Sequence, residues 1–192
     1  TGGDSSWTSY FNIAVPEPIL KVNAFSTDDD LSGASQGNGD GIINWGEKIE
    51  VRPIIKNTGP VSATGVNAVM RTNDPYLTIL DSLDDFGDIA VNDSAGPTGA
   101  YLFQVSSSAP RDYWTTLHFI IRDNDPASQD WQDSIRIRIW NPGQIMLVAK
   151  ETAYSGYFTA VLDSLGYSYD TFTGCSDTSV LNRYSTAIVF TG

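Results

Sequence analysis

Trp131-Gln132-Asp133-Ser134-Ile135-Arg136-Ile137-Arg138-Ile139-Trp140 puts three isoleucines on one side of an extended chain and Arg136, Arg138 and Trp140 on the other. Successive side chains of a β-strand point to opposite faces, so this run reads as an antiparallel strand with one buried and one wet face. Residues 48–56 repeat the pattern, with Ile49, Val51, Pro53 and Ile55 against Glu50, Arg52 and Lys56. Residues 114–122 repeat it again, with Leu117, Phe119 and Ile121 against Thr116, His118 and Arg122. Further strands are expected at residues 10–15, 19–25, 64–72, 76–80 and 99–105. Turn-forming clusters separate them: Asn57-Thr58-Gly59-Pro60, Asn73-Asp74-Pro75, residues 94–99 and residues 123–126. Short strands so punctuated predict a mainly β chain built as an immunoglobulin-like antiparallel β-sandwich. Periodicity alone does not separate this from a jelly roll.

The pattern changes after Asn141-Pro142-Gly143. Residues 144–149 form a continuous apolar strand of the kind buried on both faces. Residues 152–165 space Tyr157, Val161 and Leu165 four apart beside Phe158 and Leu162, which predicts an amphipathic helix closed by Gly166. Two more strands are expected at 167–172 and 186–190. The chain therefore divides into an N-terminal strand and linker (1–16), the sandwich (17–142) and a small, incomplete α/β segment (143–192). A parallel sheet with a single helix leaves one face bare, so other domains of a longer parent chain or neighbouring subunits are the expected partners. A head-to-tail arrangement, with residues 10–15 adding an edge strand to the next subunit, would propagate as a filament. The start, without Met or an apolar leader, reads as part of something longer.

Composition narrows the function classes. Five Trp, nine Tyr and eight Phe are too many for a chain that cannot collapse, which excludes intrinsic disorder. A net charge of −12 repels a phosphate backbone, so no nucleic-acid partner is expected. The apolar runs are far shorter than the roughly 20 residues of a membrane span, so no membrane insertion is expected either. The acid consists of nineteen Asp and only four Glu. Asp favours turns and hard-cation sites over helices, which suits a turn-rich protein in a calcium-containing, extracellular or cell-surface setting.

One segment matches such a site. In Gln36-Gly37-Asn38-Gly39-Asp40-Gly41-Ile42-Ile43-Asn44-Trp45-Gly46-Glu47, Asn38 and Asp40 stand at positions three and five of a twelve-residue Ca2+ loop. Gly41 makes the turn at six, Ile42 offers a main-chain carbonyl at seven, Asn44 falls at nine and Glu47 is the carboxylate at twelve. Gln36 stands where position one calls for Asp. Asp28 or Asp30, returning across the intervening Gly/Ser loop, is the expected replacement. The loop leads into a strand rather than a helix.

Catalytic patterns are weak. Cys175 and His118 are the single members of their types and fall on different parts of the fold, so neither an internal disulfide nor a thiol–imidazole pair is expected. Asp84-Asp85 reads as a turn cap, and Asn92-Asp93-Ser94 is a short glycosylation match. Of the tryptophans, Trp140 points away from the isoleucine face and suits a polysaccharide platform. Trp7, Trp45, Trp114 and Trp131 are expected to fill the sandwich ends.

The residues from Asn38 to Glu50, followed by Ile55-Lys56-Asn57-Thr58-Gly59, resemble the CARDB-type immunoglobulin-like modules of large secreted bacterial proteins. Residues 73–79 and 86–89 fit the same module, and residues 144–192 resemble the first half of the α/β domain that often follows it. Such modules are often appended to subtilisin-like or gingipain-like peptidases or carried on surface and adhesion proteins. The resemblance implies a non-enzymatic structural or adhesive role in a multidomain parent. A carbohydrate-binding accessory module and a non-catalytic part of a secreted peptidase are the alternatives.

Overall fold

The isoleucine strand pairs along its whole length with the Leu-Phe-Ile strand before it, and the molecule is built outward from that pair. The computed structural model describes residues 15–126, 128–149, 155–174, 178–181, 184 and 186–190. Its elements are β1 (Leu20–Asp28), β2 (Lys48–Asn57), β3 (Ala63–Arg71), β4 (Leu77–Asp81), β5 (Leu83–Ile89), β6 (Ser94–Ala95), β7 (Tyr101–Val105), β8 (Asp112–Arg122), β9 (Trp131–Trp140), β10 (Ile145–Ala149), α1 (Ser155–Leu165), β11 (Tyr169–Phe172), α2 (Thr178–Leu181) and β12 (Thr186–Phe190).

β8 and β9 are antiparallel, with Asp112 opposite Trp140 and Ile121 opposite Trp131. They complete the sheet β5-β3-β8-β9, which packs on a second antiparallel sheet, β1-β2-β7-β4, with β6 paired to β2. Ile49, Val51 and Ile55 from one sheet meet Leu117, Phe119, Ile121 and Ile139 from the other, and all seven are fully buried. Each such side chain stabilises the fold by about 1.5–3 kcal/mol relative to exposure. The Tyr101 hydroxyl crosses the core and donates to the Ala68 carbonyl at 2.8 Å, tying β7 to β3. The chain is thus a mainly β, immunoglobulin-like antiparallel sandwich.

Two sequence expectations change. Asp84-Asp85 lies inside strand β5, not in a turn, and the Asp84 carboxylate accepts from Thr98 and Gly99. β5 is an edge strand paired only with β3, so one flank and one face stay wet and its acidic residues are tolerated. The expected strand at 10–15 falls mostly outside the described residues. Its last member, Val15, is exposed and lies in no strand.

Past Asn141 the chain forms a parallel sheet of order β11-β10-β12, with Ile145 opposite both Tyr169 and Thr186. The helix α1 closes as expected at Gly166: the N–H of Tyr167 donates to Leu162 O and that of Gly166 to Asp163 O. Its apolar residues are less covered than their spacing predicts. Leu162 is buried, whereas Tyr157, Val161 and Leu165 are exposed. The segment is fastened to the sandwich by Asp170, whose carboxylate accepts from Arg111, the Gly143 N–H and the Tyr184 hydroxyl.

The Asn57-Thr58-Gly59 turn shows why an amide stands there. Asn57 has no exposed surface, and its side chain accepts from the N–H groups of Ile19 and Gly59 while donating to the carbonyls of Val61 and Ile89. Asn57→Ala is expected to lower the unfolding free energy by about 2–4 kcal/mol, because several buried main-chain groups lose their partner at once. Denaturant titration reads this as a lower midpoint at unchanged slope, and an unchanged midpoint refutes it.

Candidate functional site

The loop between β1 and β2 is folded back on itself and on both sheets. Gln36 forms a two-way main-chain bridge with Lys48, at 2.9 and 3.1 Å, which closes the loop where β2 begins. Gly37 passes so close to Asp29 that a Cβ there would lie 2.1 Å from the Asp29 carbonyl oxygen. Gly41, with φ +77°, makes the reversal expected at position six. Asn38 and Asp40 each cap the main chain two residues on, accepting from Asp40 N and Ile42 N at 2.9 Å.

Three of the expected ligands, Asn38, Asn44 and Glu47, are linked by hydrogen bonds. Asn38 Nδ2 donates to Asn44 Oδ1 at 2.9 Å, and Glu47 Oε2 accepts from Asn44 N at 2.8 Å. Asn44 and Glu47 are buried, while Asp40 is half-buried above them. Burial pushes the Glu47 carboxyl above its ordinary value, and the charges of Asp29 and Asp40 push it further. The N–H groups of Asn44 and Asn38 pull it partly back. Ile42 is half-buried at the loop's outer edge.

Asp28 and Asp30 are turned elsewhere. Asp28 faces Arg52 at 3.7 Å and accepts from Asp30 N, while Asp30 accepts from Ser32 N and Ser35 Oγ. Between them, Asp29 is the buried member of the run. Its carboxylate accepts from Gly41 N at 3.1 Å and its carbonyl from Gly39 N. The sequence carried no signal for it, because Asp29 lies past the end of β1, where no strand alternation fixes which way a carboxylate faces. Asp29, Asn38, Asp40, Asn44 and Glu47 bring carboxylate and amide oxygens to this loop, the ligand type a hard cation takes. Among the described residues, no three His, Cys, Asp or Glu side chains converge as a metal cluster by themselves.

The tryptophans divide differently from expectation. Trp131 is buried in the sandwich, but Trp45 and Trp114 are exposed by 41% and 49%. Trp114 sits at an even position of β8, on the outward face, so it was never available to the core. His118 is exposed on the same face, while Trp7 and Cys175 lie outside the described residues.

No family model and no curated protein matches the chain. Among solved structures, a CARDB domain of a Pyrococcus furiosus protein in complex with di-metal ions is similar at TM-score 0.35 and 8% identity, over 68% of this chain and 94% of that one. A conjugative transposon lipoprotein from Bacteroides eggerthii is similar at TM-score 0.32 and 13% identity, over 64% and 97%. Both are likenesses of fold.

One expectation follows for the cation-free protein. A carboxyl whose folded-state pKa is raised favours folding below its unfolded value, and that contribution is lost as pH rises through the folded value. Glu47→Gln removes the charge and keeps an acceptor for Asn44 N–H. At pH 7 in chelator the variant should therefore melt above the parent, with the gap closing as pH falls through the carboxylate range. A variant that melts lower at pH 7 refutes the unfavourable buried charge.

Proposed function

We propose that this chain is a non-catalytic, Ca2+-stabilised structural or adhesive module of a secreted or cell-surface protein. The observation that carries the reading is the oxygen-rich loop 36–47, whose buried Asn44 and Glu47 face Asp29 across a Gly41 turn. When bound, Ca2+ would supply the positive charge that this group of carboxylates and amides lacks. Asp29, Asn38, Asp40, the Ile42 carbonyl, Asn44 and Glu47 would hold it, and Asp28 and Asp30 would brace the approach. The same loop reaches the end of β9, so the ion would stiffen the sandwich where the α/β segment leaves it. The uncovered α1 residues Tyr157, Val161 and Leu165 suit contact with another domain of the parent or with a neighbouring subunit. No described helix is long and apolar enough to cross a membrane.

A second reading, a carbohydrate-binding accessory module, is favoured by one observation: the half-exposed Trp114 on the open face of β8. Within a secreted peptidase either module would serve in a non-catalytic part.

Thermal melting in excess EDTA and in millimolar Ca2+ tests the first reading. A ligand held only by the folded state at about 100 times its Kd adds about 2.7 kcal/mol, which for a chain of this length is a rise of roughly 5–10 °C. Glu47→Gln should abolish that rise. Superimposable melting curves overturn the calcium reading.

A further inference from the structure

The two sheets do not close on each other along the β1/β9 side. β1 and β9 are edge strands of different sheets, and they are pinned together at one end by Val22 N donating to Asp133 Oδ2 at 2.8 Å. Toward the other end they part into a groove of about 550 Å³ beneath the loop at Gly41–Ile43. Its walls include Phe25, Ile42, Trp114, Arg136, Arg138 and Trp140. That volume lies within the range of about 300–1,000 Å³ usual for small-ligand sites, and the mixture of aromatic wall and a few polar groups is also usual there. Trp114 is shared with a second depression of about 330 Å³ that includes Thr116 and His118, so the concave surface continues past the indole.

The charge on this surface is unlike that of the rest of the chain. Arg122 and Arg138, on the same sheet face, are each neutralised by a bidentate aspartate, Asp130 and Asp112. Arg136 has no carboxylate within ion-pair distance among the described residues, and its guanidinium lies 4.7 Å from the centre of the Trp114 ring. In a protein with 23 acidic residues against 11 basic ones, a pair that served only to staple the sheet would find an acid easily, as its neighbours do. A guanidinium held over an indole is restrained by the ring and keeps N–H groups for a planar anion.

We infer that this groove binds an acidic polysaccharide through a uronate residue. The sugar carboxylate would be taken by Arg136, and the pyranose C–H face would lie against the apolar walls from Phe25, Ile42 and Trp140. The inference rests on the carbohydrate reading above and adds the ligand class and the residue that selects it. An acidic peptide offers the same carboxylate on a flexible stem. A uronate fixes it to a rigid ring with an apolar face, which matches a rigid aromatic wall beside a pre-oriented arginine.

The test uses the full chain in calcium buffer with three probes: a glucuronic acid oligosaccharide, the same oligosaccharide with its carboxyls reduced to alcohols, and oligoglutamate. Binding is followed by tryptophan fluorescence and calorimetry. The uronate should bind, the reduced sugar and oligoglutamate about tenfold or more weaker, and Arg136→Gln should lose the uronate by about tenfold to a hundredfold at unchanged melting temperature. Arg136→Lys, a charge without the planar fork, should recover only part of the loss. Equal binding of the uronate and its reduced form, or an unaffected Arg136→Gln, overturns the acid-selective site while leaving a carbohydrate module standing. Binding of no sugar by any variant overturns both, and tight oligoglutamate binding reassigns the groove to acidic peptides.

Discussion

The clasp between the β1–β2 loop and the end of β9 is the constraint on which the functional surface depends. Asn44 Nδ2 donates to the Trp140 carbonyl at 2.5 Å, Trp140 N donates back to Ile43 O, and Trp45 N donates to Asn141 Oδ1. On the other side, Gly46 N donates to Val105 O and Val105 N to Glu47 O. The loop therefore satisfies main-chain groups at the end of β7 in one sheet and of the edge strand β9 in the other, groups that would otherwise be left unpaired. A loop tied to both sheets holds its carboxylates and amides in place without help from a following helix.

The same clasp forms one wall of the groove, since Gly41 to Ile43 roof it. The oxygen-rich loop and the groove are thus two faces of one segment, with Asn44 and Glu47 turned inward and Ile42 lining the groove. The junction with the α/β segment starts from the next residue along. Arg111 Nε donates to the Asn141 carbonyl and its Nη2 to Asp170 at 2.5 Å, so one arginine reads both the end of the sandwich and the neighbouring parallel sheet. Asp170 carries several donors at once, which makes the junction a polar lock rather than an apolar interface. The apolar residues of α1 do not contribute to it.

Much of the sandwich was legible because its central strands bury one face and wet the other. In β2, β8 and β9 the apolar residues fall at every second position, and the structure buries those residues. β5 was not legible for the same reason in reverse. An edge strand with the sequence Leu-Asp-Asp-Phe-Gly-Asp-Ile buries only Phe86 and Ile89, and so few buried positions leave no alternation to read. Asp28 and Asp30 were preferred over Asp29 because spacing within a loop says nothing about which way each carboxylate faces. The pairing of β1 with β2 decides it, setting Asp28 opposite Glu50 and beside Arg52 and turning Asp29 inward.

The sequence by itself determined the class of the fold, the change from antiparallel to parallel strands at Asn141-Pro142-Gly143 and the oxygen-rich character of the loop. Periodicity, turn chemistry and donor type are local properties that survive in one dimension. Tertiary structure decided which edge strands face each other, and with them the groove between β1 and β9, whose residues are separated by about a hundred positions in the chain. It also decided that Arg138 pairs with Asp112 besides lying 5.9 Å from the Trp114 ring centre. Arg136 lies 4.7 Å from that centre, with no carboxylate in ion-pair distance among the described residues. In sequence these two arginines are equivalent members of one alternating run. The register of β9 on β8 makes them different, because it brings Asp112 within reach of Arg138 and not of Arg136, while both guanidiniums lie over the Trp114 indole.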